Sequence, residues 1–205
     1  MDRLRAKAVA VTMLCGLLLA GCGVRDQQTP RATVVKMYES LKTGGKAAFV
    51  SCFDAADNDV RSLEAIVSSV SASRELEQVF RRRFGKDSWE KYAAEVWMRI
   101  PVYEKPDLST LEVEVEGNTA RARREGIPGQ LQLVKKGRVW KILPSGMLPA
   151  GDEREPWVKR MEAVTVAVGE TQPEIRRAGA TPETVLKKLD EELIRARRPQ
   201  SSRTP

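Results

Sequence analysis

Cys22 is the residue whose chemistry the sequence defines best, because of what precedes it. Its thiol is a nucleophile, and the small residues Ala20 and Gly21 stand directly before it, as a signal peptidase groove requires. The apolar run from Ala8 to Ala20 follows a basic start and is too short for a membrane span, which takes ~20 apolar residues. The sequence therefore predicts a secretory signal peptide over residues 1–21 that is removed before Cys22.

The residues Leu19-Ala20-Gly21-Cys22 resemble the lipobox of bacterial lipoproteins. The resemblance implies that Cys22 carries a diacylglyceryl group with acyl chains such as palmitate, and that residues 22–29 form a flexible tether. Gly23, where some lipoproteins have Asp, is similar to an outer-membrane sorting signal. The expected location is therefore the exported face of the cell membrane or outer membrane. The alternative is an ordinary secretory signal with an unrelated Cys at its boundary.

The composition excludes the common catalytic and metal-binding arrangements. The chain has no His, so a Ser-His-Asp or Cys-His nucleophile is impossible, and it has three Cys, too few for a structural zinc cluster. Cys52 lies on an apolar stripe and is expected to be a buried, inert thiol. We therefore predict no catalytic residues, no cofactor and no metal.

Two local patterns could suggest chemistry but have simpler explanations. Ser88 and Lys91 have the Ser-x-x-Lys spacing of penicillin-binding enzymes, yet Lys42-Thr43-Gly44 precedes them instead of following on a strand. The acids Asp54, Asp57 and Asp59 lack the central Gly and distal Glu of a calcium loop. We expect those acids to stabilise the start of a helix through its dipole.

The net charge of +7 is a mild basic excess. It falls short of the concentrated basic face of a nucleic-acid-binding protein, so no nucleic-acid partner is expected. The triplet Arg81-Arg82-Arg83 is expected to lie on a solvated helix face. Arg195, Arg197, Arg198 and Arg203 stand among Pro, Gln and Ser, which predicts a disordered basic C-terminus that could touch lipid head groups.

Helical periodicity dominates the chain up to about residue 100. Thr29-Pro30 reads as an N-cap and first helical residue, and the helix it starts is expected to end at Gly44-Gly45. The apolar stripe after Asp59 changes phase between Val70 and Leu76, which predicts a break or bend near residues 71–73. Asp87 to Glu90 has the spacing of a capping box for a further helix.

After Pro106 the periodicity changes from that of helices to that of strands. Leu111, Val113 and Val115 alternate with glutamates, and Gly117-Asn118 forms a turn. Arg121 and Arg123 are then expected to face the glutamates across a hairpin. Residues 130–143 supply two more strands around a turn at Lys136-Gly137. The predicted fold class is α+β, with N-terminal helices packed on a curved, cone-like antiparallel β-meander.

The last strands, from Glu114 to Ala122 and from Leu131 to Leu143, resemble those of the nuclear transport factor 2-like family, which includes ketosteroid isomerases. The resemblance covers residues 30–148 and implies a cone closed by the first helix. Tyr38, Trp97 and Trp140 are then candidates to line a ligand pocket, although aromatic residues at such positions also serve as plain core. No residue matches a catalytic motif of that family.

Residues 149–205 continue beyond this resemblance as a predicted helical extension. One helix is expected near Pro156 and another after Thr181-Pro182, with Leu186, Leu189 and Leu193 on one face. Residues 150–205 are a candidate surface for a protein partner in the cell envelope. The expected function is a membrane-anchored, non-catalytic binding or scaffold domain. The alternative is a small-molecule-binding or isomerase-type enzyme that uses the cone cavity.

Overall fold

The computed structural model describes residues 27–100, 107–124 and 129–197, and Trp97 is described by its backbone alone. The helices are α1 (Pro30–Thr43), α2 (Lys46–Val50), α3 (Asp57–Phe84), α4 (Lys86–Trp97), α5 (Arg154–Arg176) and α6 (Pro182–Arg197). The strands are β1 (Leu111–Glu116), β2 (Thr119–Arg124), β3 (Leu131–Lys136) and β4 (Val139–Ile142). Helices and one antiparallel sheet occur together, which confirms the α+β class.

Helices α1 and α6 begin where the sequence predicts, each after a threonine that caps its first turn. The Thr29 hydroxyl accepts a hydrogen bond from the backbone N–H of Ala32 (3.1 Å), and α1 begins at Pro30. In the same way, Thr181 Oγ1 accepts a hydrogen bond from the N–H of Thr184 (3.3 Å) at the start of α6. These hydroxyls satisfy backbone donors that a helix leaves unpaired in its first turn.

Helix α3 is continuous over 28 residues, so the chain does not break at residues 71–73. The apolar stripe does change direction, but small buried serines occupy the positions where it turns. The Ser69 hydroxyl donates to the Ile66 carbonyl (2.9 Å) and the Ser73 hydroxyl donates to the Ser69 carbonyl (2.8 Å). Because these hydroxyls find partners within the helix, they can be buried without interrupting it.

The start of α4 also differs from the prediction. The helix begins at Lys86, and its N-cap is Gly85 with φ +88°, without a side-chain cap. Asp87 therefore lies inside the first turn, where its negative charge interacts favourably with the helix dipole. The capping box predicted from Asp87 to Glu90 is wrong. The positive φ of Gly85 lets α3 end and α4 begin with one residue between them.

The four strands are hydrogen-bonded in the order β1-β2-β3-β4. Glu112 faces Arg123 and Glu114 faces Arg121 in the register of β1 and β2, as the sequence predicts. Glu112 and Arg123 form a salt bridge, with 2.6 Å between Arg123 Nε and Glu112 Oε2. The turn at Gly117 has a positive φ of 60°, which glycine adopts readily.

The described residues divide into two compact units. The sheet unit contains residues 27–37, Cys52–Asp54, 107–124 and 129–146. The helical unit contains Tyr38–Ser51, 55–100 and 147–197. The sheet unit ends at Gly146, and most of the helical residues before the sheet belong with residues 147–197 to the helical unit.

The core of the helical unit joins residues from α3, α4, α5 and α6. Its buried side chains form one cluster that includes aromatic rings of α3 and α4 and aliphatic residues of α5 and α6. Its members from the C-terminal helices are Val164, Ala167, Val168, Ile175, Val185, Leu186, Leu189 and Leu193. Residues 154–197 are therefore an integral part of this core rather than an appendage.

The core of the sheet unit lies between the first half of α1 and the sheet. Thr33 on α1 is buried, and its hydroxyl donates to the backbone carbonyl of Trp140 on β4 (3.2 Å). The outer edge of β4 is covered by Cys52–Asp54: Ile142 N–H donates to the Cys52 carbonyl, and Asp54 N–H donates to the Ile142 carbonyl, both at 2.9 Å. These bonds leave β4 with both edges paired.

Two ends of the folded region differ from the prediction. Gln27 is buried and accepts the Trp140 N–H through its carbonyl (2.9 Å), so residues 27–29 are not part of a flexible tether. At the other end, Arg195 and Arg197 belong to α6, and Arg195 pairs with Glu192 (2.9 Å). Arg198 and Arg203 lie outside the described residues.

Candidate functional site

The predicted lipid attachment residue, Cys22, lies outside the described residues, as does the whole predicted signal peptide. Both therefore stay predictions from the sequence. The part of the chain that the structure describes contains no helix with the length and apolar character needed to cross a bilayer.

Two of the three aromatic residues of the predicted pocket, Tyr38 and Trp140, have described side chains, and they belong to different compact units. Trp140 is buried on β4 in the sheet unit, where its backbone bonds to Gln27 and Thr33. Tyr38 is half-buried on α1 and belongs to the helical unit. The side chain of Trp97 lies outside the described residues. Trp140 thus contributes to a core, and the three-residue pocket stays a prediction.

Cys52 is buried, as the sequence predicts. Its sulfur accepts a hydrogen bond from Gln27 Nε2 (3.6 Å), and it forms no disulfide with any described residue. Burial keeps reagents away from the sulfur, so reactive thiol chemistry is not favoured here. Its contact with Gln27 instead helps to hold the start of the folded chain on the sheet unit.

The acidic residues near position 57 form structural contacts. Asp54 and Asp59 each pair with a different basic residue. Asp59 accepts the backbone N–H of Ala56 (3.1 Å) at the start of α3 and also pairs with Arg154. Asp54 pairs with Lys136 (3.0 Å). Among the described residues, no three His, Cys, Asp or Glu side chains lie close enough to share a metal ion. The helix-start prediction for Asp57 and Asp59 is confirmed.

Lys91 does not have the properties of a general base. Its ammonium lies 4.8 Å from the centre of the Tyr92 ring. A hydrogen bond with Tyr92 is the main cause that raises the pKa of Lys91 above its usual range. A raised pKa keeps the amine protonated at neutral pH, whereas an activated lysine needs a lowered one. The Ser-x-x-Lys spacing therefore gains no support from the electrostatics of Lys91.

A groove of about 560 Å³ lies in the sheet unit. It is lined by Ser109, Thr110, Leu111, Glu112, Arg123 and Arg124. Arg123 is held by Glu112, and the hydroxyl and the backbone N–H of Ser109 lower the pKa of Asp107 beside the groove. The groove lies along β1, at the edge of the sheet. The Thr110 hydroxyl donates to the Asp107 carbonyl (3.1 Å), and the groove presents hydroxyl, carboxylate and guanidinium groups.

Sequence reasoning missed the role of Arg31, which links α1 to this edge. Its Nη1 donates to the Leu111 carbonyl and its Nη2 donates to the Leu108 carbonyl, each at 2.7 Å. Arg31 lies about eighty positions from these partners in the chain, so no local pattern could have revealed the contact. The guanidinium covers the first backbone carbonyl on the outer side of β1.

Glu183 is the carboxyl group with the largest pKa shift that the structure shows. The Tyr92 hydroxyl donates to it and is the main reason that its pKa is lowered from 4.5 to about 2. Because the folded-state pKa is below the unfolded value, this contact stabilises the protein fully above pH ~4.5 and is lost as the pH falls toward 2. The contact joins α4 to α6 within the helical unit.

We expect Glu183→Gln to lower the urea midpoint of unfolding at pH 6, and the difference from the unmodified chain to shrink steadily between pH 4.5 and pH 2.5. The measurement is urea unfolding followed by circular dichroism at each pH. Glu191→Gln, at an exposed position on the same helix, is the matched control. A Glu183→Gln effect that is constant across this range would contradict the assignment.

No protein family model, no curated protein and no solved structure matches this chain.

Proposed function

We propose that this chain is an exported bacterial lipoprotein, anchored through acyl chains on Cys22 and acting as a non-catalytic binding or scaffold domain in the cell envelope. The observation that carries the proposal is the sequence Leu19-Ala20-Gly21-Cys22 after a short apolar run and a basic start. The acyl chains would hold the protein on the exported face of the cell membrane or outer membrane.

The docking of Gln27 supports a position close to the lipid surface. Because Gln27 is 4% exposed and bonded to Trp140 and Cys52, residues 22–26 alone would separate the lipid from the sheet unit. A flexible segment of that length spans about 12 Å, from ~5–6 Å multiplied by the square root of the residue number. The sheet unit would therefore remain next to the head groups, which favours recognition of partners near the membrane.

The electrostatics of the described residues support binding rather than catalysis. The two carboxyl groups with shifted pKa values, Asp107 and Glu183, are both shifted downward. A carboxylate that acts as a general base or acid near neutral pH needs its pKa raised by burial. The pKa of Lys91 is raised, which makes its amine less available as a base.

We propose in addition that the sheet is curved as in the nuclear transport factor 2-like cone. The strand order β1-β2-β3-β4 and the contact of Thr33 with Trp140 support this relationship, because they place the first helix against the last strand. The cone would be a scaffold here. An enzyme that uses its cavity has no supporting observation among the described residues.

Residues 150–205 remain our proposed surface for an envelope protein partner, but the proposal now concerns a smaller part of that region. The inner faces of α5 and α6 are buried in the core of the helical unit. A partner would therefore contact their outer faces, where Val166 and Ile194 are exposed. Deletion of this region would disrupt the core, so point substitutions at these two positions are the appropriate test of the surface.

The lipid anchor is tested by replacing its sulfur. We expect Cys22→Ser to abolish incorporation of a fatty-acid probe and to release the protein from the membrane fraction of a bacterial host, because serine offers no thiol for acylation. Cys15→Ser is the matched control, since it changes a cysteine within the apolar run and should leave labelling unchanged. Labelling and membrane retention that persist in Cys22→Ser would overturn the proposal.

A further inference from the structure

The two edges of the sheet differ in how they are covered. On the outer side of β4, Cys52–Asp54 and Gln27 supply backbone partners to Trp140 and Ile142. At the other end of the strand order lies β1. Within the described residues, the contact on the outer side of β1 is that of Arg31 with the Leu111 carbonyl. Among the residues that the structure describes, one edge of the sheet is therefore covered, and the other is covered at its first residue.

The hairpin geometry identifies the backbone groups that face outward from β1. Two residues, Gly117 and Asn118, connect the strands, and Gly117 has φ +60° while Asn118 does not have a positive φ, the pattern of a type II′ turn. In such a hairpin the pair next to the turn, Glu116 and Thr119, exchanges both hydrogen bonds. Bonded and non-bonded pairs alternate along an antiparallel ladder.

It follows that the odd-numbered residues of β1 direct their N–H and C=O groups away from β2. The contact of Arg31 with the Leu111 carbonyl agrees with this alternation. The N–H and C=O groups of Val113 and Val115 are then available on the same edge, and Val115 is 57% exposed. An exposed edge strand of this kind is a template for pairing with another extended chain.

Charge determines which extended chain fits. Glu112, Glu114 and Glu116 are exposed along β1. A second copy paired antiparallel through the same strand would place glutamates opposite glutamates, which is unfavourable. A chain with Arg or Lys at alternate positions would place opposite charges there. The protein already contains this complement on the inner side of β1, where Arg121, Ala122 and Arg123 of β2 face the strand.

We propose that the outer edge of β1 binds a basic segment of a partner protein as an added strand, with Arg or Lys opposite the glutamates and small apolar residues beside Val113 and Val115. This inference rests on the proposed binding role and names its partner class. It does not depend on the lipid anchor, and a soluble binding assay can fail without bearing on Cys22.

The test uses a fluorescent peptide with two copies of the β2 sequence Thr-Ala-Arg-Ala-Arg-Arg and the full-length chain, with fluorescence anisotropy as the measurement. We expect Val113→Pro to weaken binding about tenfold, because proline removes an outward N–H and obstructs pairing. Val113→Thr is the matched control and should bind within about twofold of the unmodified chain. Thermal unfolding verifies that both variants are folded.

A second variant tests the charge requirement independently of the backbone. Glu114→Gln should weaken binding by about twofold to fivefold and reduce its dependence on salt, because one opposite-charge pair is lost. Equal binding of a peptide with Glu in place of Arg would overturn the proposal. So would unchanged binding to folded Val113→Pro, or a dimer in sedimentation analysis that Val113→Pro dissociates, since that result would assign the edge to a second copy.

Discussion

Phe80→Ala is expected to lower the free energy of unfolding of the helical unit by about 3–5 kcal/mol, the usual range for removing a buried phenylalanine ring. Phe80 is fully buried on α3. Its ring meets Phe84 edge-on at 4.8 Å and Trp89 at 5.5 Å between centroids, and it lies 6.4 Å from Tyr92. Alanine would remove these contacts and leave a cavity, because the surrounding helices can move only partly to fill it.

The measurement is urea unfolding of the full chain followed by the helical circular dichroism signal. Arg83→Ala, an exposed position on the same helix, is the control and should change the free energy by less than about 0.5 kcal/mol. A Phe80→Ala effect below about 1 kcal/mol would show that α3 and α4 do not share the core described for this unit.

Leu189→Ala is expected to cost about 2–5 kcal/mol, although it changes a residue in the region that the sequence assigned to an extension. Leu189 is fully buried on α6, in the same cluster as Phe80 and Val164. The cost arises because α6 completes the core of the helical unit. If α6 were an independent extension, the substitution would leave the unfolding of α3 and α4 unchanged.

Ile194 provides the matched comparison on the same helix. Its side chain is 56% exposed, so Ile194→Ala should change the free energy of unfolding by no more than about 0.5 kcal/mol. The two variants remove comparable aliphatic groups from opposite sides of α6. Equal effects on the urea midpoint would contradict the placement of this helix in the core.

These expectations also bear on how the proposed partner surfaces are tested. Residues 154–197 supply about half of the buried cluster of the helical unit, so their deletion would abolish partner binding by unfolding the unit. Substitutions at exposed positions avoid this ambiguity. Val113 on the sheet edge and Ile194 on α6 can each be changed while the cores remain intact.

The features that the sequence determined by itself are those decided by neighbouring residues. The caps at Thr29 and Thr181 depend on a hydroxyl within a few positions of the amide that it accepts. The turn at Gly117 and the pairing of Glu112 with Arg123 depend on a hairpin, in which chain partners are close in sequence. Such interactions form from local geometry, so their patterns are readable along the chain.

The features that only the tertiary structure decided depend on distant partners. The phase change in α3 suggested a break, but α3 packs against several helices, and a helix with several neighbours can bury more than one face without ending. The contacts of Arg31 with Leu111 and of Gln27 with Trp140 join positions far apart in the chain. Periodicity records which face is apolar, but not what covers it. For that reason the place of α6 in the core and the exposure of Val115 at the edge of the sheet emerged only from the assembled fold.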